Sequence, residues 1–92
     1  MEVDKLYIVN RGNQNQSVGL IIKGETSSVQ VFGSQAKPSS LSDMVDLTDS
    51  ETLGEGSHSF TMLPKFVYFT GTTDSIEPIT ANLVEAESKD QF

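Results

Sequence analysis

Along most of this chain apolar and polar side chains alternate with a period of two, and the alternation breaks at glycine, proline or polar runs. A period of two sends successive side chains to opposite faces of an extended backbone, so the pattern selects strands over helices. In residues 3–10, Leu6 and Ile8 share one face, and Val3, Lys5, Tyr7 and Val9 the other. After a polar loop at 10–16, residues 17–23 (SVGLIIK) and 26–32 (TSSVQVF) flank Lys23-Gly24-Glu25-Thr26, which predicts a type II′ turn closing a hairpin. Residues 57–63 and 65–70 are divided by Pro64, which cannot donate to a ladder, and the last run, 76–86, carries Pro78. Residues 33–56 are irregular: Ser40 with Asp43 resembles a capping box, whereas Met44–Thr48 alternates as a short strand, and the strand is the expectation. Six or seven short strands without a long helix predict an all-β fold, a small antiparallel β-sandwich of Ig-like or jelly-roll-like kind. One domain over residues 1–87 and a polar tail at 88–92 are expected.

A chain of 92 residues buries only about 60–65% of its unfolded surface, and it has no cysteine to add a disulfide or a thiolate metal site. Apolar area therefore matters, and here there is more than one interior can take. If Leu6, Ile8, Leu20, Ile22, Val29, Val31, Phe60, Met62, Val67, Phe69 and Leu83 fill the core, then Tyr7, Val9, Ile21, Phe32, Phe66 and Tyr68 face outward. Each buried aromatic ring removes roughly 150–250 Å² from water, so leaving several exposed forgoes a large share of a small domain's stability. Two covers are open: the chain's own 33–56 segment or its tail with Phe92, or else another subunit or a larger assembly.

Charge excludes some partners. The net charge is −7, from 13 acids and six bases, and no two bases lie within five residues of each other. Without a basic cluster there is no footprint for a phosphate backbone, so nucleic-acid binding is not expected. No apolar run approaches a membrane span, and MEVDKLYIVN lacks the basic-then-apolar order of a signal peptide; a soluble chain without a leader is the expectation.

Catalytic and metal chemistry find little support. His58 is the single histidine, and Ser57 and Ser59 beside it point to the opposite face of a strand, away from its ring. Asp43, Asp46, Asp49 and Glu51 lie in an acidic stretch that extends to Glu55, but their spacing misses that of an EF-hand loop; a solvated loop is the simpler reading. Asn15-Gln16-Ser17 matches a glycosylation sequon, a pattern common by chance. Gly54-x-Gly56 opens a strand and so lacks the helix terminus that binds phosphate. No enzyme activity, metal or cofactor is expected.

Residues 56–71 combine a Gly-Ser start, an alternating strand, a Leu63-Pro64 corner and an aromatic strand running into Thr70-Gly71-Thr72. This stretch, with the size and acidity of the chain, resembles small accessory β-sandwich proteins of tailed-phage virions, which decorate capsids or sit in tails. The resemblance implies a non-enzymatic module that binds a protein surface, a capsid or tail protein or its own copies, in a virion or a host cytoplasm. It transfers no functional residue. From the surplus apolar face, Tyr7, Phe32, Phe66 and Tyr68 are the candidate partner contacts. Two further readings stay open: a carbohydrate or ligand binder using Tyr68 or Phe66 as a stacking platform, and an acidic inhibitor protein.

Overall fold

The computed structural model describes residues 1–10, 18–61, 63–79 and 82–92, which form eight strands and two single turns of 3-10 helix. The strands are β1 (Leu6–Asn10), β2 (Val18–Lys23), β3 (Ser28–Ser34), β4 (Val45–Asp46), β5 (Gly56–Phe60), β6 (Phe66–Thr72), β7 (Ser75–Pro78) and β8 (Asn82–Glu85). They build an antiparallel sandwich of a five-stranded sheet, β4-β3-β6-β1-β8, and a three-stranded sheet, β5-β2-β7. The run read as one strand over 76–86 is divided: β7 belongs to the small sheet and β8 to the large one. The radius of gyration, 12.2 Å, matches the roughly 12 Å expected of a packed chain of this length.

The chain changes sheets at every connection except β3 to β4, and the pairing is nested: β1 with β8, β2 with β7, β3 with β6. This is a jelly-roll-like wrapping. It overturns the expected β2–β3 hairpin, because β2 and β3 lie in different sheets. Gly24, at φ +120°, stands at the first position of the turn, where its carbonyl accepts the Ser27 N–H at 3.0 Å, instead of at the first central position. The four-residue turn then re-aims the chain across the sandwich and does not fold it back in plane.

Between the sheets lies one buried cluster: Tyr7, Val9, Val18, Leu20, Ile22, Val29, Val31, Leu63, Val67, Phe69 and Ile76. Each fully buried aliphatic or phenyl side chain here contributes about 1.5–3 kcal/mol of transfer free energy. The assignment of Leu6 and Ile8 to this interior is corrected. Register places Tyr7 opposite Val67, and Leu6 and Ile8 opposite Tyr68 and Phe66, so β1 turns Tyr7 and Val9 inward. Both faces of β1 are apolar, so alternation alone cannot orient it; its pairing with β6 does. Phe60 and Leu83 are half-buried against the cluster, while the expected loop at 10–16 falls outside the described residues apart from Asn10, as does Met62.

Residues 41–46 combine the two forms weighed for them. Leu41–Asp43 is a 3-10 turn whose N-cap, Ser40, makes no side-chain capping bond, and β4 follows with two residues paired to Phe32 and Gly33. Asp43 Oδ2 instead accepts the Ser39 N–H at 2.9 Å. Gly33 lets Pro64 and Leu47 close over β3, because a Cβ there would collide with both.

Candidate functional site

The candidate site is the outer face of the five-stranded sheet, where the alternation left its second apolar set. Leu6 and Tyr68, and Ile8 and Phe66, are cross-strand partners, and Phe32 pairs with Tyr68 from the other side. These side chains form a cluster of their own: Leu6, Met44, Phe66, Tyr68 and Ala86 are buried, with Ile8, Phe32 and Leu41 packed against them. The sheet thus has a core on each side.

The four candidate contacts are not free. Tyr7 is 4% exposed and lies on the inner face, its ring 5.9 Å from that of Phe69 and its hydroxyl accepting the Glu2 N–H at 2.8 Å. Phe66 and Tyr68 are 8% exposed, and Phe32 is half-buried. Phe32, Phe66 and Tyr68 do come together on the outer face, but the chain itself covers them. The cover has two parts: Leu41 and Met44 from the 35–44 segment, and the last residues of the chain.

Those last residues are a docked strap. Phe92 stacks on Tyr68, with centroids 4.8 Å apart and planes at 18°. The side-chain amide of Gln91 acts as one more peptide group on β1: its Oε1 accepts the Leu6 N–H at 2.7 Å, and its Nε2 donates to the carbonyls of Leu6 at 2.9 Å and Ala86 at 3.0 Å. Asp90 pairs with Lys37 at 2.6 Å, tying the strap to the 35–44 segment. The Lys37 hydrogen bond is the main cause that holds the Asp90 carboxyl below its ordinary value. Burial raises the Tyr68 phenol above its usual value, with a smaller push from Asp4. An aromatic pair adds about 0.5–1.5 kcal/mol and an intramolecular hydrogen bond about 0.5–1.5 kcal/mol net, so the strap is held by a few modest contacts.

Gln91 and Lys37 were not legible as part of this site. Gln91 meets Leu6 across 85 residues of sequence, and no local pattern announces a side chain that imitates a backbone.

Other groups singled out in the sequence serve the fold. His58 Nε2 lies 2.8 Å from the Gly54 carbonyl, to which it donates, while Ser57 and Ser59 are exposed on the opposite face of β5. Asp46 organises its own loop: Oδ1 accepts the Thr48 hydroxyl at 2.5 Å and the Thr48 N–H at 2.9 Å, and Oδ2 accepts the Ser50 N–H at 2.8 Å. The Thr48 hydroxyl bond leads in depressing the Asp46 carboxyl. Those bonds support a turn in which Asp49 and Ser50 take φ of +56° and +67°. Among the described residues no three His, Asp or Glu side chains converge as a metal site. The Asn15 sequon lies outside the described residues.

Among the described residues, large apolar side chains remain exposed on the strap itself, where Phe92 is 41% exposed, and at the sheet edges, where Val84 pairs with Ile8 and so shares the outer face. Val45 is 67% exposed on β4, Val84 is 53% exposed on β8, and Ile79 follows β7 directly. β4 and β8 are the two edge strands of the large sheet, and β7 is an edge of the small one. Val45 also lines a shallow apolar groove of about 350 Å³ with Gly33, Leu47 and Pro64. No protein-family model, curated protein or solved structure matches the chain.

Proposed function

We propose that the protein is a non-enzymatic interaction module that docks on protein surfaces within a symmetric assembly. A capsid or tail accessory role in a phage virion is the setting suggested by the likeness of residues 56–71. The observation that carries the reading is that, apart from Phe92 on the strap, the uncovered large apolar side chains of the described residues lie at sheet edges: Val45 and Val84 on the two edges of the large sheet, and Ile79 beside an edge of the small one. Edge strands offer unpaired backbone groups to a neighbouring chain, and soluble monomers commonly guard them with charge. An exposed β-branched residue does the opposite, because it adds apolar contact to an edge already able to accept a strand.

Tyr7, Phe32, Phe66 and Tyr68, covered by their own chain, give way to Val45, Ile79 and Val84 as the proposed contacts. Coverage also removes the platform that carbohydrate stacking on Phe66 or Tyr68 needs. Asp43, Asp46 and Glu55 spend acceptor capacity on Ser39, Thr48, Ser50 and Gly24 of this chain, which leaves the acidic-inhibitor reading without a favouring observation. Light scattering over a wide concentration range tests the proposal. Mass growth that Val45→Lys and Val84→Lys suppress is expected; a mass that stays monomeric throughout, or grows equally in both variants, overturns it.

A further inference from the structure

The strap and the face beneath it form a separable lock. Its contacts are the Gln91 bonds to Leu6 and Ala86, the Phe92 stack on Tyr68 and the Asp90–Lys37 pair. Upstream, β8 is anchored through the Ala86 N–H, which donates to the Leu6 carbonyl at 2.9 Å. Between that anchor and the 3-10 turn at Ser88–Asp90 stands Glu87 alone, extended at φ −60° and ψ 155°. Rotation about one residue therefore decides whether the strap lies on its own sheet or swings away.

We propose that this groove is an exchangeable docking site whose partner is the strap of a second copy of the chain. The segment that the structure shows seated there is residues 88–92, so a second copy is the partner whose chemistry is already matched: a side-chain amide for Leu6, a ring for Tyr68, a carboxylate for Lys37. Exchange re-forms the same bonds in trans, so local concentration and geometry decide between the closed and the exchanged forms. The inference rests on the symmetric-assembly reading, since that is where copies are held side by side. It also returns a role to the outer face, with Tyr68 meeting a neighbour's strap instead of bare partner surface.

Deleting Glu87 from the full chain tests it. The deletion draws the strap back by about 3.3 Å, out of register with Leu6 in its own copy, while an open hinge still reaches a neighbour. The expected result is a folded dimer, recognised by circular dichroism and light scattering. Gln91→Ala with Phe92→Ala should return it to monomer, and an excess of synthetic peptide of residues 86–92 should dissociate it. A folded monomer after the deletion overturns the proposal, as does a dimer indifferent to both strap substitutions and peptide. Val84→Lys in the same background separates the two readings. A dimer lost with Val84→Lys but kept with the strap substitutions upholds the edge contacts and sinks strap exchange. A dimer with the opposite sensitivities upholds exchange and counts against the edges.

Discussion

The two faces of the five-stranded sheet carry similar side chains but are sealed in different ways. Inside, Val31, Val67 and Phe69 meet a second hydrogen-bonded sheet, and the closure is part of the ladder network of the whole fold. Outside, Phe66 and Tyr68 meet a loop and a strap held by one ion pair, one stacked ring and the amide of Gln91. The outer cluster is smaller, five buried residues against eleven among those described, and its closure is less cooperative. Opening the inner face requires global unfolding, whereas opening the outer one breaks a handful of local contacts, the condition for sub-global opening.

The largest expected effect comes from the inner face. Phe69→Ala should lower unfolding stability by about 3–5 kcal/mol in denaturant titration, against about 0.5–1.5 kcal/mol for Phe92→Ala on the outer face. Equal losses would erase the distinction. Gly71→Ala comes next: its φ of +110° and the Ser28 carbonyl where a Cβ would stand both resist a side chain. A cost of about 1–3 kcal/mol is expected by thermal or chemical unfolding, because strain at the β3–β6 junction falls on the sheet that both faces share. No measurable loss would show that β3 and β6 slide apart freely.

Gln91→Ala sharpens the contrast at the strap. It leaves the Leu6 N–H without its acceptor, so amide exchange at Leu6 should accelerate by about tenfold or more, the equivalent of about 1–2 kcal/mol locally. Exchange at Val31 and Val67 should stay near its original rate, and a parallel acceleration there would mean that the strap is integral to the core. The smallest effect is that of acid. Lys37 holds the Asp90 carboxyl below its ordinary value, so its contribution to strap closure is present above that value and is lost as pH falls through the depressed one. Ring resonances of Tyr68 should therefore shift toward those of the Phe92→Ala protein at low pH, and sooner at high salt; a pH-independent spectrum would exclude the Lys37–Asp90 pair from the lock.

How much of this was legible follows from which signals are local. Alternation and Gly/Pro punctuation identified the strands around Leu20, Val29, Phe60 and Val67, because the face each side chain takes is a property of its own backbone. The surplus at Phe32, Phe66 and Tyr68 was also visible as a second apolar face that something must cover. Illegible were the partners: the turn at Gly24 pointed to a hairpin, yet β2 finds β5 and β7 while β3 finds β6. Exposed Val45 and Val84 gave no signal either, since being at an edge is a property of sheet order.

Composition and period, then, determined by themselves that this is an all-β sandwich with two apolar faces on its central strands. Tertiary structure alone decided which face of β1 points inward, that Leu41, Met44 and Phe92 form the outer cover, and that Gln91 stands in for a peptide group beside Leu6. The physical reason is range: strand propensity acts between neighbours along the chain, whereas register, edges and coverage depend on contacts between residues brought together only when the whole chain has closed.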